Sequence, residues 1–136
     1  MVNGRLALDR RETARAIDEL SKAESLLPLG PSGATVFGTP RLAHIAIWFN
    51  LGRAYLDAGQ LAPAAERFRK IADGRFVRLF SPIEYVRSLY YVALIAERQG
   101  DRPTARDYYG RFLRYWKDGD IDRDKVAEAT QKLASL

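Results

Sequence analysis

The residues of this chain with chemistry to offer fall into four groups. His44 is the only histidine. A Ser-His-Asp relay would need a nucleophile and a carboxylate at a spacing that singles this imidazole out, and none has one. His44 therefore reads as a surface or groove residue early in a helix. Asp118, Asp120, Asp122 and Asp124 form an alternating acidic run, which invites a calcium loop. An EF-hand loop starting at Asp118 would need glycine at Arg123 and glutamate at Ala129, so no metal is expected. Asp122 as a helix cap, with the others as solvated charges, accounts for the run. The cations Arg67, Arg69, Lys70, Arg75 and Arg78 are interleaved with Phe76 and Phe80. Such a stretch could contact phosphate and stack on bases, yet cations near a helix C-terminus are also favoured by its dipole. The tyrosine pairs Tyr90-Tyr91 and Tyr108-Tyr109, with Trp48 and Trp116, suit inter-helix packing, one of each tyrosine pair being core and the other exposed.

Bulk properties narrow the classes further. The chain has 136 residues, 47% of them apolar, and a formal net charge of +5. That length suits one domain with a real core. No apolar run reaches membrane-spanning length, and no basic-then-apolar leader opens the sequence. Cysteine is absent, which excludes disulfides, thiolate catalysis and cysteine-held zinc or iron–sulfur centres, and fits a cytoplasmic location. The positive balance favours acidic partners, but scattered arginine is also what a salt-bridged helical surface looks like.

Spacing supplies the elements that must carry these side chains. Trp48, Leu51, Gly52 and Tyr55 stand at W-x2-L-G-x2-Y, followed in register by Gly59, Ala64 and Phe68. A shift of 41 residues carries Gly59 to Gly100, Ala64 to Ala105 and Phe68 to Tyr109, while Leu89, Val92, Ala93 and Ala96 replace the first four. Each glycine sits where a helix ends and reverses. Thr39-Pro40 and Ser81-Pro82 read as N-caps followed by proline at the first helical position, with Glu84 completing a capping box on Ser81. Pro63 and Pro103 fall in first turns, where a missing N–H costs little. Helices are predicted at 40–58, 61–73, 82–99 and 102–117, with a last one from Arg123 to Ala134 bearing an apolar stripe of Val126, Ala129 and Leu133. Ahead of them, Ala16, Leu20, Ala23 and Pro28 match the second half of the same repeat, and Gly4 and Ala7 fall where its first helix would end. Residues 1–30 thus read as a partial repeat and the chain as a segment of a longer protein, the alternative being a genuinely short N-terminal helix. Residues 29–39 read as a loop that Val36 and Phe37 could fold back onto the core, and 74–80 as a shorter one.

These spacings resemble the tetratricopeptide repeat over nearly the whole chain. The resemblance implies an all-α, right-handed α-solenoid of antiparallel helix hairpins with a C-terminal capping helix: 1–30 partial repeat, 39–75 repeat, 81–117 repeat, 121–136 cap. Phe112, Leu113, Trp116, Lys117, Asp118 and Asp120 resemble the phrase that closes the repeat region of many bacterial serine/threonine kinases and winged-helix transcriptional regulators. That implies a docking or regulatory segment of a signalling protein; no Gly-rich loop, HRD or DFG marks a kinase within these residues. The first helices of each hairpin would line a concave face with Phe49, Asn50, Arg53 and Asp57, then Arg87, Tyr90, Leu94 and Arg98. Some relatives hold a C-terminal carboxylate in a basic clamp. Asn50 and Arg87 occupy two of its positions, and Tyr91 stands where a further basic residue is expected.

The expected function is protein–protein interaction, docking a peptide or helix in that groove. The apolar edge of the partial repeat makes a homodimer conceivable. The alternative is a nucleic-acid-binding accessory domain using the arginine-rich face. No enzyme, cofactor or metal site is expected.

Overall fold

Two glycines set the rhythm of the chain. Gly59 and Gly100 both adopt positive φ, 75° and 79°, in the left-handed region that a Cβ disfavours. Each follows a helix in a Schellman closure: Gln60 N–H bonds the Tyr55 carbonyl and Asp101 N–H the Ala96 carbonyl, both at 2.8 Å. The last carbonyls of the helix are thereby satisfied and the chain reverses at once.

The computed structural model describes residues 2–27, 35–36, 39–40, 42–74 and 77–136, with side chains for 10–27, 42–74 and 77–136. The order is α1 (Val2–Leu26), a two-strand ribbon of β1 (Thr35–Val36) and β2 (Thr39–Pro40), α2 (Leu42–Asp57), α3 (Leu61–Ala72), α4 (Val77–Phe80), α5 (Pro82–Arg98), α6 (Arg102–Trp116) and α7 (Arg123–Ser135). Helices α2/α3 and α5/α6 form the two hairpins. α1 packs on α2, α3 on α5 and α7 on α6, so apart from the short ribbon the described residues stack as an all-α solenoid closed by α7.

The core follows the repeat register. Ala64 and Phe68 of α3, and Ala105 and Tyr109 of α6, are wholly buried. Gly52 lets the hairpin close: a Cβ there would lie 2.8 Å from the Phe68 ring. Phe68 stacks on Tyr91 at 4.7 Å, and Phe49 meets both edge-on. Tyr90 carries the aromatic chain on to Phe112, and Phe112 to Trp116. Burying side chains of this size contributes roughly 3 kcal/mol each.

Several local expectations are corrected. α1 is one continuous helix through Gly4 and Ala7, so no reversal occurs there. Thr39 and Pro40 pair with Val36 and Thr35 in the ribbon, and α2 begins two residues later, so Thr39 does not cap it. Ser81 stands at the N-cap of α5 with Pro82 behind it, but its hydroxyl makes no cap bond; the capping box with Glu84 does not form. Asp101 does cap α6, accepting from Thr104 N–H at 3.2 Å, a D-x-x-T signal left unread in the sequence. The 74–80 loop contains the single turn α4. The side chains of Val36 and Phe37 lie outside the described residues.

Candidate functional site

An open groove runs between α1 and α2, with a volume of about 1160 Å³. Ala16, Ile17 and Leu20 give the α1 side its apolar part, with Arg10 and Glu12 beside them; Asn50, Arg53 and Asp57 of α2 line the opposite side. Asn50, Arg53 and Asp57 are exposed, and among the described residues no ion pair engages Arg53 or Asp57. These three predicted residues stand together on one face.

Glu24 fixes α1 in place. Its carboxylate accepts from Trp48 Nε1 at 3.1 Å and from Arg67 at 3.1 Å, with Lys70 at 3.9 Å. One carboxylate near the end of α1 thus ties it to both helices of the first hairpin. The pairs with Arg67 and Lys70 also offset the unfavourable placing of a negative charge near a helix C-terminus.

The second half of the predicted face is closed. Arg87 forks onto Asp122 at 2.8 and 3.4 Å, a bond that raises the guanidinium pKa further. Tyr90 is buried and donates to Glu128 at 2.6 Å; burial first, then that carboxylate, pushes its phenol pKa up. Leu94 is buried as well, while Arg98 is exposed. Phe49, expected as an exposed anchor, lies in the core against Phe68 and Tyr91. α7 therefore covers the α5 positions that α2 leaves open on its own side. Asp122 sits at the N-cap of α7 with φ of 52° and makes no side-chain cap bond; its carboxylate serves Arg87 instead.

The remaining candidates resolve into packing. His44 is buried, with its ring 5.7 Å from that of Trp48, rather than on a surface. Tyr108 and Tyr109 are both buried, because each hydroxyl finds a carboxylate: Asp73 for Tyr108 and Glu97 for Tyr109, both at 2.8 Å. Arg67 is held by Glu24 and Glu66, Lys70 lies near the same two carboxylates, and Arg69 lies over the Tyr108 ring. Arg78 donates to the Tyr115 hydroxyl at 3.0 Å. The basic stretch is thus largely engaged within the fold; Arg75 and Phe76 lie outside the described residues.

Helical hairpins closed by glycine, an alanine and an aromatic at fixed offsets, and a stack that recurs after 41 residues describe a repeat architecture. The tetratricopeptide repeat family matches residues 46–73 and 87–118. Each hairpin is thus similar to a tetratricopeptide repeat. No curated protein and no solved structure matches it. Tetratricopeptide repeats generally mediate protein–protein interaction and are typically non-enzymatic scaffolds. Among the described residues no helix is long and apolar enough to cross a membrane.

Proposed function

We propose that this chain is a docking module that binds a protein segment in the groove between α1 and α2. The observation that carries the reading is that groove: Asn50, Arg53 and Asp57 line it opposite the apolar side chains of Ala16, Ile17 and Leu20. Amide, guanidinium and carboxylate beside aliphatic side chains suit a peptide, whose backbone and charges need partners and whose apolar residues need a pocket. α1 takes the part of the second helix of a partial repeat. The closing phrase through Trp116 and Asp120 supports placement in a larger signalling protein, as its docking or regulatory segment. The same open edge could join two copies of the chain.

The test is affinity capture on the whole chain with nuclease present, comparing the wild type with an Asn50→Ala/Arg53→Ala variant. A nuclease-resistant protein partner that the variant loses is the expected result. Retention at equal strength would remove the groove from the site. Capture of nucleic acid, with a steep fall in salt, would shift the function to the arginine-rich surface. Arg87 is left intact here because its loss reports on α7 rather than on the groove.

A further inference from the structure

The seven tyrosines of the chain meet opposite environments. Tyr90, Tyr108 and Tyr109 are buried, and their hydroxyls donate to Glu128 at 2.6 Å and to Asp73 and Glu97 at 2.8 Å. Burial first, then that carboxylate, pushes each phenol pKa up, so these oxygens resist negative charge. Tyr85 is buried as well, and Tyr55 and Tyr91 are half-buried. Tyr115 alone is exposed, by 42%. Its hydroxyl is an acceptor, taking a hydrogen bond from Arg78 at 3.0 Å. That bond above all, against the opposing effect of burial, holds the Tyr115 phenol below its ordinary 10.0, and the Arg111 charge adds to it.

Three elements bring these groups together. Arg78 stands on α4, Tyr85 in the first turn of α5, and Arg111 and Tyr115 one turn apart on α6. The Tyr115 ring meets that of Tyr85 edge-on at 5.8 Å, and Arg111 lies over the Tyr108 ring at 4.6 Å. Among the described residues no carboxylate pairs with Arg78, and the ion pair of Arg111 is a long one, 3.9 Å to the exposed Asp107. Two guanidiniums thus serve one exposed phenol oxygen with little negative charge to balance them. The C-terminal side of Tyr115 is open: it lies in the last turn of α6, and residues 117–121 are all exposed. A last turn has carbonyls without intrahelical partners, so opening it to an enzyme costs little of the helix.

We propose that Tyr115 is a phosphorylation site, accepting a phosphoryl group from a nucleoside triphosphate in the active site of a separate tyrosine kinase. The phenol oxygen attacks the γ-phosphorus, and the new O–P bond replaces the one to the departing nucleoside diphosphate. The phenol proton passes to the base of the kinase. The product carries about −1.5 to −2 charge and three acceptor oxygens, which Arg78 and Arg111 are placed to neutralise through charge-assisted, forked hydrogen bonds. A neutral group such as acetyl would use neither guanidinium, and a phosphate on Tyr90, Tyr108 or Tyr109 would meet a carboxylate instead. Held by Arg78, the phosphate pins α4, the single turn that exposes Leu79 and Phe80, to the end of α6. This site belongs to the second hairpin and does not rest on the docking reading of the groove.

The test treats the full-length folded chain with ATP and a broad-specificity tyrosine kinase and maps the product by mass spectrometry. Phosphate is expected on Tyr115 alone, and Tyr115→Phe should abolish it. The phosphorylated chain should melt about 3 °C above the unmodified one, with slower amide exchange in α4. Its phosphorus resonance should titrate below the ~6 of an exposed phosphate ester. Arg78→Gln should cancel the melting gain and return that titration toward ~6. Arg78→Lys, which keeps the charge but not the fork, should retain only part of both and serves should Arg78→Gln fail to fold. The same mapping on chain recovered from its own cells under phosphatase inhibition should find phosphate at Tyr115. Labelling of Tyr115 only after unfolding in urea, a phosphate whose titration and melting gain ignore Arg78, or no phosphate at Tyr115 in the cell-derived chain would each overturn the proposal.

Discussion

Gly52 shows how much of the architecture rests on one absent carbon. Its Cα faces the fully buried Phe68 ring, and an added Cβ would sit 2.8–3.0 Å from three ring atoms. That ring is held between Phe49 and Tyr91, so it has no free direction in which to yield. Gly52→Ala gains helix propensity but forces the hairpin apart, and overpacking of this kind outweighs the gain. Gly52→Ala should lower unfolding free energy by ~2 kcal/mol, read from denaturant midpoints at constant m-value. The repeat spacing marked this glycine in the sequence. The spacing did not reveal that Phe49, one residue from exposed Asn50, turns inward, because a 100° step along a helix is enough to separate core from groove.

At the scale of elements, α7 decides which half of the predicted face is accessible. Its apolar stripe was legible from Val126, Ala129 and Leu133, but its polar fastenings were not. Arg87–Asp122 and Tyr90–Glu128 join residues 35 and 38 positions apart, a distance over which sequence offers no register. The Asp122 backbone is held at φ of 52°, a conformation an aspartate tolerates better than most residues. A double-mutant cycle on Arg87→Ala and Asp122→Ala should give a coupling of ~0.5–1 kcal/mol. That is less than a fully buried pair would give, because the Arg87 side chain is 36% exposed and screened by solvent. Amide exchange in α7 should quicken in either single variant while α2 and α3 remain protected. Equal protection in α7 would show that its apolar contacts alone secure it.

For the molecule as a whole, acid should loosen the end closed by α7. Burial of Glu97 opposes its charge, but bonds from Tyr109 and Lys132 outweigh this and hold its pKa below the ordinary 4.5. A carboxylate whose pKa is depressed on folding binds fewer protons in the native state. Its contribution is therefore whole above 4.5 and is lost as pH falls through the depressed value. Wild type should thus exceed Glu97→Gln in melting temperature at pH 7, with the gap closing as pH falls below 4.5. A constant gap across that range would assign Glu97 a packing role alone. The periodicity of apolar residues, the two reversing glycines and the 41-residue recurrence determined five of the helices to within two residues and the all-α stack they build. Those signals are local, and helix propensity, turn chemistry and repeat register agree in them. Tertiary structure alone decided that α1 runs unbroken through Gly4, that Glu24 binds it to Trp48 and Arg67, and that Arg87 and Tyr90 lie under α7 while Asn50, Arg53 and Asp57 face an open groove. Each of these depends on which helix lies beside which, and helical periodicity gives every side chain a direction but not the neighbour it will meet.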